Sequence, residues 1–253
     1  INAACGLCGW CAQGMGRHCP NRTVLGIQGL DGCLAERCAA PTANLHAVAD
    51  DLSDDEAVFA EPLAAAHEIL EQVVVAESAR CVVMGDGKLG ILCAWVLSTA
   101  SRDVTLVGRH ERKLARARWG GVKTALSPGE VRPGADLVVE ATGTGQGLMQ
   151  SLNLVRPRGT LVLKSTVAAQ GELNLAAAVV NEVTVVGSRC GPFDRALKAL
   201  RAFRFPVGRL IDGRYRLEDA EAALARAGER GVLKVLVEPS VSTRRDAQRS
   251  GES

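Results

Sequence analysis

From residue 81 onward the chain alternates short apolar runs with segments whose apolar positions recur every three or four residues. The runs at 81–84, 104–107, 137–140, 160–163 and 183–186 read as strands. The segments at 88–99, 112–119, 146–154 and 193–203 read as helices. Hydrophobicity within the runs is continuous, not alternating, so these strands are expected to be buried on both faces. Strand–helix alternation of this kind predicts an α/β fold built on a doubly wound parallel sheet.

The flanks have a different texture. Residues 1–48 are rich in Cys and Gly with little periodicity, which predicts loops and short strands, with His46 in a surface strand. An acidic hinge at 50–55 follows, with Ser53 placed to cap the next helix. Leu63, Ala66, Ile69 and Leu70 then fall on one stripe of a helix over 61–72. Asn181 and Glu182 interrupt the apolar stretch 175–186, which reads as a buried element, and Asn181–Arg189 is expected to be the outer strand of the sheet, pairing with its copy in a second subunit. Near the end, Asp212-Gly213 introduces a helix over 217–227 that Gly228 closes, and 232–237 forms a strand. The polar tail 240–253 is expected to be disordered. The expected division is therefore a lobe over 1–63, a sheet domain over 64–205, a return to the first lobe over 206–239, and the tail.

Composition narrows the function classes. With 253 residues the chain can bury a sizeable core. Its 30 basic and 28 acidic residues leave a formal net charge of +2, and it has only three Trp, four Phe and one Tyr. That argues against a nucleic-acid partner, which needs a basic face and stacking aromatics. No apolar run approaches the roughly 20 residues needed to span a bilayer, so no membrane role is expected. The nine cysteines are odd in number, and four fall within the first nineteen residues. This pattern suits metal binding and buried thiols in a reducing, cytoplasmic setting better than a secreted disulfide framework. The opening Ile1-Asn2-Ala3-Ala4 is not a signal peptide, and the natural N-terminus is expected upstream.

Cys5, Cys8, Cys11 and Cys19 are separated by two, two and seven residues. Tetrahedral zinc needs four thiolates converging from a loop that folds back on itself, and Gly6, Gly9, Gly14 and Gly16 permit such turns. Disulfides or chance clustering are the alternatives. Four protein ligands close the coordination sphere, so a zinc here is structural.

Gly85-Asp86-Gly87-Lys88-Leu89-Gly90 is a GxGxxG motif lying between a predicted strand and a predicted helix. There, amides at a helix N-terminus can hold a pyrophosphate. An isolated Gly-rich turn could be only a turn; the strand–helix context gives it meaning. About 20 residues on, an acid would take the adenosine ribose hydroxyls of NAD. The residues there are Gly108-Arg109-His110, and Asp103 lies at the wrong edge of the sheet. A small residue followed by a cation favours NADP over NAD, although Arg109 could also be just a solvated loop residue.

The four-cysteine lobe, the Gly32–Glu36 stretch and the Val48–Leu63 passage together resemble the zinc-containing medium-chain dehydrogenases. The resemblance extends from Ile1 to about Pro239, nearly the whole chain. It implies NAD(P)-linked oxidation of a secondary alcohol or polyol, a partial, mostly β catalytic domain beside the sheet domain, and a homodimer or homotetramer. It also implies a second, catalytic zinc. Glu61, in Glu61-Pro62-Leu63, matches one of its ligands, bound directly or through water, as in the polyol branch; a helix N-terminal acid complementing the dipole is the alternative. The matching Cys and His-Glu ligands belong to a segment expected before Ile1. Further cofactor contacts are implied at Thr142 and Gly143, at Lys164-Ser165, and at Lys234. The competing reading is a non-catalytic zinc- and nucleotide-binding module.

Overall fold

The computed structural model describes residues 1–166 and 174–239. The tail expected over 240–253 lies outside them. Contacts divide the chain into two compact units: Ile1–Ala47 together with the chain from Ile211 onward, and Val48–Leu210. The sequence places its breaks at 63 and 205, later and earlier than these.

The first unit opens with β1 (Asn2–Ala3), α1 (Gly9–Ala12), β2 (Thr23–Leu25) and β3 (Gly29–Leu30). β1 pairs antiparallel with β2, and β2 pairs parallel with β3. Elements this short bury little: of the apolar side chains in the first 47 residues, Cys19 and Val24 alone are buried. The strand expected around His46 does not form. That residue lies in an exposed stretch after a 3₁₀ turn at Thr42–Asn44, with no strand assigned to it.

The second unit begins with α2 (Asp54–Ala57). Ser53 caps it with a capping box: Ser53 Oγ accepts from Glu56 N at 3.3 Å, and Ser53 N donates to the Glu56 carboxylate at 3.0 Å. The chain then runs through α3 (Ala60–Gln72), β4 (Arg80–Met84), α4 (Lys88–Ser98), β5 (Asp103–Val107), α5 (Glu111–Ala117) and β6 (Lys123–Ala125). β7 (Ala135–Glu140), α6 (Gly145–Leu154), β8 (Val155–Leu163), α7 (Ala176–Val180), β9 (Thr184–Gly187) and α8 (Phe193–Phe203) complete it. Asp51 pairs with Arg201 at 2.9 Å and with Arg204 at 3.2 Å, both at the end of α8. These pairs help hold the segment before α2 in this unit and not in the first.

The sheet order is β6-β5-β4-β7-β8-β9, and every pairing is parallel. Successive connections run outward on one side from β4 and on the other from β7. The order therefore reverses between those two strands, and a crevice opens at their C-terminal ends. The continuous apolar runs are explained: Cys81 to Met84 and Leu137 to Val139 are buried, as is α4 from Gly90 to Leu97. Trp95 is fully buried there. It stacks on Phe205 and donates its indole N–H to Ala117 O at 2.8 Å.

The stretch 175–186 is not buried. Leu175, Val179, Val180 and Val185 are half to nearly four-fifths exposed. It forms the outer edge of the sheet, where no further strand or helix of the chain covers it among the described residues. Cys190, after β9, is half-buried and has φ +54°.

The first unit then resumes with β10 (Ile211–Arg216), α9 (Ala220–Ala227) and β11 (Lys234–Glu238). Asp212-Gly213 does not introduce a helix; it lies within β10, which pairs in parallel with β11 across an irregularity between Ile211 and Gly213. The Asp212 carboxylate accepts from Leu233 N at 2.6 Å, binding the two segments.

Candidate nucleotide site and four-cysteine cluster

The glycine-rich turn joins β4 to α4 beside the crevice. Gly85 has φ +118°, and a Cβ on it would stand 2.5 Å from Ala141 O, so only glycine fits. Gly87 is the N-cap of α4, and nothing lies within 4 Å of where its side chain would be. That open face is where a pyrophosphate can approach the helix amides. A Cβ on Gly90 would overlap the Gly85 carbonyl oxygen, so this glycine is needed for close packing of α4 on the strand. Lys88 and Leu89 occupy the first turn of α4. Burial lowers the pKa of the Lys88 ammonium, against the nearby charge of Glu61.

A cavity of about 430 Å³ opens beside this turn, lined by Asp86, Arg109, His110, Lys113, Thr142 and Gln150 among others. The expected Gly108-Arg109-His110 therefore lies at the cavity that the glycine turn also lines. Thr142 and Gly143 lie across the crevice, in a loop organised by Glu140. That fully buried carboxylate accepts from Thr142 N at 2.6 Å, Thr142 Oγ1 at 2.5 Å and Gly143 N at 3.2 Å. Thr144 caps α6 by accepting from Gly147 N at 3.0 Å. The structure thus adds Asp86, Glu140 and Thr144 to the residues singled out from sequence. The unassigned middle position of the glycine motif was the one signal available for Asp86.

Lys164 stands at the end of β8, donating to Ala65 O at 2.6 Å and to Ser188 Oγ at 3.1 Å. Two of its three N–H donors thus tie α3 to the loop after β9. Lys234 is the first residue of β11, in the other unit.

The four cysteines come together. Their Sγ–Sγ separations are 3.4 Å for Cys5–Cys19, 3.5 Å for Cys8–Cys11, 3.7 Å for Cys8–Cys19 and 4.0 Å for Cys5–Cys11. A tetrahedron with metal–sulfur bonds of about 2.3 Å has edges of about 3.8 Å, so this cluster has the size of a tetrathiolate cage. Amide donation from Leu7 and contact with Cys19 lower the Cys5 thiol to about 6, whereas burial and Cys8 raise Cys11 to about 11. Among the described residues this is the single group of three or more metal-ligating side chains gathered round one point. Glu61, near the start of α3, is in no such group. Cys33 and Cys38 are exposed. No helix among the described residues is long and apolar enough to cross a membrane.

A doubly wound parallel sheet with a glycine turn at its switch point, joined to a lobe with a tetrathiolate-sized cluster, defines the chain as a zinc-type medium-chain dehydrogenase fold. Residues 54–238 match the family described as glucose dehydrogenase C-terminus, and the chain belongs to that family. A sorbitol dehydrogenase of Halalkalibacterium halodurans is 27% identical over an alignment covering 93% of this chain and 73% of the relative. A D-xylulose reductase A of Aspergillus oryzae is 26% identical, covering 92% and 70%. Among solved structures, the alcohol dehydrogenase TADH of Thermus sp. ATN1 superposes with a TM-score of 0.83 at 25% identity, covering 92% of this chain and 74% of that one. A zinc-binding dehydrogenase of Sinorhizobium meliloti bound to NADP superposes with a TM-score of 0.85 at 24% identity, covering 94% and 75%. These relatives place the chain among polyol and alcohol oxidoreductases at the level of the family.

Proposed function

We propose that this chain carries the nucleotide-binding and structural-zinc parts of an NADP-dependent oxidoreductase acting on a secondary alcohol or polyol. One observation carries the reading: a glycine turn at a helix N-terminus opens onto a cavity that Arg109, His110 and Lys113 also line. The helix end suits a pyrophosphate, and the cationic wall suits a further phosphate on the adenosine ribose. The polyol class is supported by the named relatives, which include a sorbitol dehydrogenase and a D-arabinitol dehydrogenase.

Cys5, Cys8, Cys11 and Cys19 would hold a structural zinc, which would tie the lobe together. A second zinc supplies Lewis-acid activation of the alcohol oxygen when bound, with Glu61 as one ligand. Its other ligands are not gathered at Glu61 among the described residues. That observation also favours a second reading, in which the chain by itself binds zinc and nucleotide without turnover.

Assembly is through the sheet edge. β9 presents an open ladder beside exposed Val179, Val180 and Val185, and pairing with the same strand of a second copy covers both.

The function is tested by supplying NADP⁺ or NAD⁺ with sorbitol, xylitol and arabinitol to the zinc-loaded protein and following reduced nicotinamide. Polyol-dependent NADPH formation supports the enzyme. Nucleotide binding without reduction supports the module, and no binding of either nucleotide contradicts both.

A further inference from the structure

We infer that Asp86 is the positioning residue for nucleotide selection, holding Arg109 and His110 toward the 2′ side of the adenosine ribose. This rests on the proposed NADP reading and explains how a glycine motif carrying an acid can belong to it. Asp86 is the middle residue of Gly85-Asp86-Gly87, yet its side chain reaches across to the end of β5. There Gly108 leaves the space it needs: a Cβ on Gly108 would stand 2.6 Å from Asp86 Oδ2 and 2.7 Å from Cγ. An acid thus occupies the region where a strand-end aspartate would otherwise project, but it arrives from the neighbouring turn.

What that acid does is fixed by its partners. Oδ2 alone accepts three hydrogen bonds, from Arg109 N, His110 N and His110 Nδ1, each at 2.8 Å. The Asp86 side chain is only 12% exposed. Burial would raise its carboxyl, but the Arg109 and His110 donors outweigh that and hold it below the usual carboxylate range. An ionised carboxylate is an acceptor only, so Nδ1 of His110 must carry the hydrogen it donates. The other ring nitrogen is then directed away from Asp86, on a side chain that is 41% exposed at the cavity.

The consequence is a division of labour. The negative charge faces the loop backbone, where two amides and an imidazole neutralise it. Arg109, His110 and Lys113 remain to meet whatever occupies the 2′ position. Among the described residues no side-chain hydrogen bond or ion pair holds Arg109; its backbone N–H is held by Asp86. Gly108 has a role through absence, because any side chain at that position must displace Asp86. A simple exchange of Gly108 for Asp would therefore collide with the acid already present and would not convert the site cleanly to NAD.

The experiment measures dissociation constants for NADPH and NADH by nicotinamide fluorescence on the zinc-loaded full chain. The proteins are the parent, Asp86→Asn, Arg109→Ala, the double variant and Gly108→Ala. If Asp86 acts through Arg109, Asp86→Asn weakens NADPH by about tenfold and NADH by less than about twofold. In the Arg109→Ala background the same change costs NADPH clearly less than in the parent, leaving only the part that acts through His110, because the two effects are coupled. Gly108→Ala leaves Asp86 chemically intact but pushes it aside, so it should reproduce the NADPH-selective loss even if Asp86→Asn fails to fold. Several results overturn the inference: equal losses for both nucleotides, an additive double variant, unchanged selectivity in Gly108→Ala, or a loss confined to NADH. The last would make Asp86 itself the ribose acceptor. A parent protein that binds NADH as tightly as NADPH overturns the NADP reading instead, and is seen before any variant is made.

Discussion

Replacing Cys8 with Ser should release the first lobe while leaving the sheet unit folded. The reason is the poverty of the lobe's own core. Its three strands near the N-terminus comprise two, three and two residues, and Val24 is its one buried aliphatic side chain before residue 48. Burying a valine contributes about 1.5–3 kcal/mol, whereas zinc in a four-ligand structural site contributes about 10–16 kcal/mol. The metal term is several times larger, so order in the lobe should follow metal occupancy. Cys8 lies 3.5 Å from Cys11 and 3.7 Å from Cys19, and removing its thiolate takes away one of the four corners of the cage. Two measurements check this: zinc per chain by elemental analysis, and hydrogen exchange resolved along the sequence. Zinc should fall from about one per chain to near zero. Amides in the first 25 residues should lose protection, and those of β4 and β7 should keep it. Full zinc occupancy in Cys8→Ser, or unchanged protection of the lobe after chelation, would refute the reasoning.

Three further outcomes follow from other parts of the molecule. Gly90→Ala forces a methyl into the Gly85 carbonyl and should cost about 1–3 kcal/mol in denaturant unfolding, together with nucleotide binding; a variant that still binds parental NADPH shows that the turn does not pack as described. Val185→Lys places charge on the open edge of β9 and should shift a dimer toward monomer in sedimentation at micromolar concentration, whereas an unchanged assembly state would remove β9 as the interface. His67 is buried on α3 with no hydrogen-bond partner for its Nε2 among the described residues, and burial, followed by the nearby Arg195, lowers its pKa. The unfolded chain then binds the extra proton first, so stability should fall as pH drops below about 6.5, by at most about 1.4 kcal/mol per pH unit. His67→Leu should flatten that slope between pH 7.5 and 5.5. The carboxylates of Asp51, Glu56, Asp86 and Asp136, whose pKa values are lowered, act in a separate window near and below their ordinary range. An equal slope in the variant would mean that another group carries the pH dependence.

The parallel sheet was legible because strands buried on both faces leave continuous apolar runs, and 81–84 and 137–140 lie at its centre. The cysteine cluster was legible because its ligands fall within fifteen residues and their spacing mirrors a local loop. Other features depend on what packs from elsewhere. β6 is only Lys123–Ala125, too short and too polar to leave a pattern. β10 carries Asp212, Gly213, Arg214 and Arg216, which read as a turn until β11 pairs with them. The outer strand expected over Asn181–Arg189 forms as β9 at the sheet edge, but the burial expected over 175–186 does not, since a hydrophobic run is the same whether or not a neighbour covers it. The role of Asp86 was hidden for a similar reason: its three hydrogen bonds close a gap of 23 and 24 residues, and the residue that makes room for it is a glycine.

On the proposed reading, Arg109, His110 and Lys113 make this sheet unit select a dinucleotide bearing a 2′-phosphate. Calorimetric titration of the zinc-loaded protein with NADPH and with NADH, at physiological ionic strength, tests it most directly. One charge-assisted contact to the phosphate is worth about 1.5–3 kcal/mol, so NADPH should bind at one site per chain roughly tenfold to a hundredfold more tightly than NADH. Equal affinities, or tighter binding of NADH, would contradict the claim.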